Sequence, residues 1–219
     1  MKKHKDSYIR NVPHLQPQNG VFAITICLSG TLPKSKIEIL KDERTLKIAH
    51  IKQSSLSPKE EKIALIKVHQ LYFNKFDDLL DNETSGPTWL KRNEIAKIIA
   101  ESLHFRDGKD FKLVCYCVMS NHIHLVIYQC KQQLFEILRN FKSYTSLMSN
   151  NLIYGKFKKG DGRPNFWLHE SYDHLIRNRK DFYHQVQYTV NNPVKANLVK
   201  SWQEWNFTYL RDEYKYILE

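Results

Sequence analysis

Two histidines stand one residue apart in NHIHLVIY, residues 121–128, an otherwise apolar run that reads as a buried strand. Side chains alternate across a strand, so His122 and His124 share one face while Ile123, Leu125 and Ile127 take the other. Two neutral imidazoles side by side offer a pair of nitrogens to one divalent cation. Further along, DFYHQVQYTVNNPVKANLV (181–199) carries Tyr188 and Asn192 four residues apart, stacked on one face of a helix. Combined, these residues would make a cation site of three neutral ligands with a phenol beside it. Neutral ligands leave the cation its full charge, which suits gripping a phosphodiester. Each pair also has a plainer reading, as hydrogen-bonded core histidines and as surface decoration. A histidine-triad hydrolase would need H-x-H-x-H, and Val126 stands at the third place.

The elements that must position these residues can be read along the chain. VFAITICLS (21–29) is a short apolar strand, broken by Gly30 and Pro33. Ser57-Pro58-Lys59-Glu60 forms a capping box with proline at the first helical position, opening a helix to about Asp81. A second helix is expected over about 90–103, with Ile95, Ile98 and Ile99 as its stripe. Strand-like runs follow at 111–119 and 122–130, with Ser120-Asn121 as the bend between them. A helix over about 132–149 should turn Leu134, Ile137, Leu138, Phe141, Thr145 and Met148 inward. The last helix, from about Lys180, is expected to stop at Pro193. Strands mixed with helices, without regular βα alternation, indicate an α+β domain: an antiparallel sheet with helices packed on one face. The expected organisation is a basic N-terminal arm at 1–19 and a single domain over 20–215, with a helical insertion at about 31–100.

Composition narrows the partners. Lys and Arg number 34 against 23 Asp and Glu, a net charge of +11, and the isoelectric point is about 9.4. That balance favours a polyanion, because neutralised phosphates release condensed counterions. No run approaches the length of a membrane span and no signal peptide is visible, so a soluble cytoplasmic protein, nucleoid-associated when bound to DNA, is expected. Cys27, Cys115, Cys117 and Cys130 lack zinc-site spacing and read as buried thiols.

VMSNHIHLVI (118–127) resembles the motif of two histidines flanking a hydrophobic residue found in single-tyrosine HUH transposases, specifically the REP-associated tyrosine transposases. FAITICLSGTLP (22–33), KSYTS (142–146), FWLHESYDHLIRN (166–178) and YTVNNPVKANLV (188–199) extend the resemblance in order over roughly 20–210. Ser120 stands where the family usually has proline, and Asn197 where it has glycine; asparagine tolerates the left-handed backbone. The resemblance implies an RRM- or ferredoxin-like fold, with the histidines on a central strand and the tyrosine on a helix alongside. It implies that His122, His124 and Asn192 bind Mg²⁺ or Mn²⁺ and that Tyr188 attacks single-stranded DNA. Cleavage and rejoining through a 5′-phosphotyrosine at hairpin or repeat sequences follow, with a domesticated hairpin-binding module that does not cut as the alternative. Lys142, Arg177 and Lys195 are expected at the DNA backbone, Arg163 and the lysines of KFKK (156–159) at phosphates, and Phe166 and Trp167 under bases. His184 is a candidate base, Asp173 and His174 candidate orienting residues, and Trp202 and Trp205 packing residues of the tail. Both a monomer and a homodimer are compatible with the family.

Overall fold

β-Branched residues in VFAITIC and HIHLVIY favour extended backbone, and these segments form two neighbouring central strands, β3 (Val21–Cys27) and β5 (His122–Tyr128). The computed structural model describes residues 7–9, 13–15, 17, 19–82, 85–156, 162 and 164–219. Within the expected N-terminal arm, β1 (Ser7–Ile9) and β2 (Pro13–Leu15) pair as an antiparallel hairpin.

The main compact unit comprises the chain up to Ser29 together with Thr88–Glu219. After β3 it continues through α3 (Asn93–Arg106), β4 (Lys112–Val118), β5, α4 (Leu134–Tyr154), β6 (Tyr172–Ile176), α5 (Arg179–Lys195) and β7 (Thr208–Leu210). The five strands run antiparallel in the order β6-β3-β5-β4-β7. Leaving out α5 and β7, this is the β-α-β-β-α-β arrangement of a ferredoxin-like sheet, as expected. Helices α3 and α4 cover one face: Ile95, Ile99 and Leu103 with Ile137 and Phe141 share a core with Ile24, Ile26, Ile123, Leu125 and Ile127. Helix α5 packs on the opposite face, where Val186 and Val190 meet Ala23, Val114, Cys115 and Val126. All four cysteines are buried free thiols, as read.

Two local expectations need correction. Helix α5 runs through Pro193 to Lys195, because proline near a helix end forfeits only one late hydrogen bond. Asn197 then turns the chain with φ 55°, the left-handed backbone that asparagine accepts. Met148 is 38% exposed and does not face the core that Leu134, Ile137, Leu138 and Phe141 enter.

The helical insertion expected over 31–100 is shorter. The second compact unit is Gly30–Pro87, while α3 belongs with the sheet because its isoleucines lie in that core. The second unit contains α1 (Lys34–Gln53) and α2 (Pro58–Asn82). The capping box opens α2 as read: Ser57 Oγ donates to Glu60 Oε2 at 2.6 Å, and Glu60 N donates back to Ser57 Oγ at 3.4 Å. Leu40 of α1 and Val68, Tyr72, Phe76 and Leu80 of α2 are buried. Gly86 closes the unit, since a Cβ there would come within 2.6 Å of the Thr31 carbonyl oxygen.

The tail is fixed to the sheet. Trp205 donates its indole N–H to the Val118 carbonyl at 2.9 Å, Trp202 packs beside the α5 core, and Arg211 is paired with Asp107. No helix among the described residues is long and apolar enough to cross a membrane.

Candidate active site

Strand register decides where the imidazoles go. Antiparallel pairing sets Thr25 opposite His124 and Cys27 opposite His122, so both rings rise from the sheet on the α5 side. Each is held by one ring nitrogen. His122 Nδ1 lies 2.7 Å from Asn121 Oδ1, and His124 Nδ1 lies 3.0 Å from Thr25 Oγ1. An Nδ1–H donated to a neighbouring oxygen leaves the lone pair on Nε2. The two Nε2 atoms face each other at 2.9 Å. Two ligands of one cation at about 2.1 Å and right angles lie about 3 Å apart, so this separation fits shared coordination.

The electrostatics agree. The histidines are 1% and 2% exposed. Burial, assisted by the nearby Lys195 charge, pushes His122 down to about 3. Burial, then His122 and Lys195, holds His124 well below the usual imidazole range. Both rings are therefore neutral at physiological pH and present lone pairs rather than protons.

Helix α5 brings the other half. Asn178 caps it by accepting from the Asp181 N–H at 2.9 Å, and His174 Nε2 lies 2.9 Å from Asp181 Oδ2, tying the helix start to β6. The Tyr188 ring stands edge-on to His124, with centroids 5.4 Å apart and planes at 83°. One turn on, Asn192 is completely buried, and neither its amide oxygen nor its amide nitrogen has a hydrogen-bond partner. A buried amide left unmet costs about 1–3 kcal/mol, so the position fits a group that takes a ligand. The Lys195 ammonium sits 5.1 Å from the Tyr188 ring centroid. His184 lies nearly parallel to that ring, 6.3 Å away, and is exposed.

The remaining sequence candidates divide. Arg177 is exposed at the start of α5 and Lys195 is exposed near its end. Lys142 is not: its ammonium donates to the carbonyls of Leu168, His169 and Glu170 at 2.9, 3.1 and 3.1 Å. An ammonium has three donors, so these contacts use it as a bolt between α4 and the following loop. Phe166 and Trp167 are 5% exposed and lie in the core, and the Trp167 indole donates to Thr145 Oγ1 at 2.8 Å. They are not stacking platforms for bases. His174 braces α5 through Asp181, whereas Asp173, registered with Ile24, points to the sheet face away from the imidazoles. Arg163 and residues 157–159 of KFKK lie outside the described residues. Thr25 and Asn121 were not singled out by sequence, although Thr25 is the one polar residue of VFAITIC and Asn121 adjoins the motif.

With this geometry fixed, similarity to known proteins is informative. Residues 88–192 match the family described as Transposase IS200 like, an interval that contains His122 and His124 and ends on Asn192. Over these residues the chain is similar to the IS200-like transposases. The chain is 31% identical over 105 residues to a REP-associated tyrosine transposase of Escherichia coli (strain K12), a match covering 48% of this chain and 58% of that relative. It is also similar to a structure of a REP-associated tyrosine transposase bound to a REP hairpin, with a TM-score of 0.46 and 17% identity over 95% of this chain and 82% of that one.

Proposed function

We propose that this IS200-like chain is a metal-dependent single-stranded DNA transesterase that cleaves and rejoins DNA through a 5′-phosphotyrosine on Tyr188. The observation that carries the reading is the Tyr188 ring beside a converging pair of imidazole nitrogens, with the unmet Asn192 amide one turn away. His122, His124 and the Asn192 oxygen would hold Mg²⁺ or Mn²⁺, which when bound polarises the scissile phosphate and offsets developing charge. The Tyr188 oxygen forms a bond to phosphorus and the P–O3′ bond breaks. The phenolic proton leaves and the departing 3′ oxygen is protonated. Reversal by a 3′-hydroxyl releases the tyrosine and rejoins a strand, so no external energy source is needed. Helix α5 contributes orientation: its packing on β4 and β5 and its tie to β6 fix the phenol before substrate arrives. Hairpin-forming strands are the substrates that the resemblance to REP-associated tyrosine transposases suggests.

The test is incubation with hairpin-bearing single-stranded DNA and Mg²⁺ or Mn²⁺, followed by a denaturing gel. A protein–DNA adduct is expected from the wild type and none from Tyr188→Phe, with DNA binding retained. Binding without adduct across varied hairpins would contradict the reading and favour a non-cutting hairpin-binding module.

A further inference from the structure

On the sheet face away from Tyr188, α4 and residues 164–173 enclose a groove of about 480 Å³. Its walls are set by specific bonds. Lys142 holds the carbonyls of residues 168–170, Asn150 Nδ2 donates to the Pro164 carbonyl at 2.8 Å, and Trp167 is pinned to Thr145. Ser29 N donates to the Phe166 carbonyl and Leu168 N to the Cys27 carbonyl, anchoring the loop beyond β3. The groove is therefore preformed. Its floor carries the edges of Phe166, Trp167 and Leu138. Five polar side chains on its walls, Arg139, Ser143, Ser146, Asn165 and His169, have no hydrogen-bond or ion-pair partner among the described residues. The lining spans α4 from Phe135 to Asn150, about 22 Å at 1.5 Å per residue.

A long groove walled by unpartnered hydroxyl, amide, imidazole and guanidinium groups suits an extended chain with polar edges and anionic linkages. On a chain of net charge +11, single-stranded nucleic acid has that chemistry. Arg139 offers a bidentate fork to phosphate. We infer that this groove binds a short unpaired stretch of the DNA substrate, which reaches Tyr188 by passing over the β6 edge of the sheet. The inference rests on the proposed DNA reaction and adds a second contact region on the opposite face, several nucleotides from the scissile phosphate.

The test is fluorescence anisotropy of labelled hairpin-bearing single-stranded DNA, in EDTA so that no cleavage intervenes, with wild type, Arg139→Glu and Ser146→Trp. Both variants should bind at least about tenfold more weakly with unchanged melting temperature, since a lost charge-assisted phosphate contact or a blocked groove costs at least that much. Their adduct yield with Mn²⁺ should return to the wild-type level at saturating DNA. Ser146→Trp binding as tightly as wild type overturns the groove, even if Arg139→Glu is weaker, because charge alone would then explain the loss. If Ser146→Trp lowers the melting temperature, Ser143→Trp at an exposed position replaces it and is read the same way. A wild type that binds DNA but forms no adduct refutes the proposed reaction while leaving the groove to be judged on binding.

Discussion

The two faces of the sheet are built from the same strands and behave oppositely. On one face, Ile24, Ile123, Leu125 and Ile127 meet α3 and α4 in a dry core. On the other, Thr25, His122 and His124 place polar atoms under α5, and Asn192 leaves its amide unmet. Alternation along a strand forces this division, so a single register serves both stability and chemistry. The first face is saturated with contacts and should carry the folding energy. The second keeps unmet polar groups at some cost in stability, a cost the proposed cation site would require.

The sharpest way to separate the faces is Tyr188→Phe, which should abolish the covalent adduct on denaturing gels and leave the melting temperature within a degree or two. Leu125→Ala should do the reverse. Denaturant titration should show a loss of about 2–5 kcal/mol, with adduct yield per folded molecule preserved. Asn192→Leu tests the cost of the site itself. Removing an unmet buried amide should raise stability by about 1 kcal/mol, while titration calorimetry should show weakened Mn²⁺ binding. A destabilised Asn192→Leu protein that binds Mn²⁺ normally would erase the contrast between the faces. The smallest effect is expected from Thr25→Val, which keeps the shape but removes the oxygen that orients His124. Mn²⁺ affinity should fall by about 10-fold, at the lower end for an outer partner of a metal ligand, with folding unaffected.

Residue periodicity makes the grouping of the candidate side chains legible in the sequence. Periods of 2.0 and 3.6 hold whatever surrounds the element, so the pairing of His122 with His124 and of Tyr188 with Asn192 could be read directly. What brings one pair to the other is long-range. Thr25 orients His124 only because β3 lies beside β5 in that register, a neighbour relation between residues about a hundred positions apart. Side-chain type misled where one chemistry serves two ends. Lys142 and Trp167 suit DNA as well as they suit loop carbonyls and a threonine hydroxyl, and only position decides. Helix α1 escaped notice because it buries just Leu40 and Arg44 in 20 residues, too few to leave an apolar stripe. The α2 capping box, by contrast, is local, and Ser57 and Glu60 form it as their spacing predicts.

Crystals soaked in Mn²⁺ and measured at a wavelength where manganese scatters anomalously provide the most direct test of the cation site. One anomalous peak about 2.2 Å from Nε2 of both His122 and His124, with the Asn192 oxygen turned toward it, is expected. A map without that peak, in which the two imidazoles simply hydrogen-bond to each other, would contradict it.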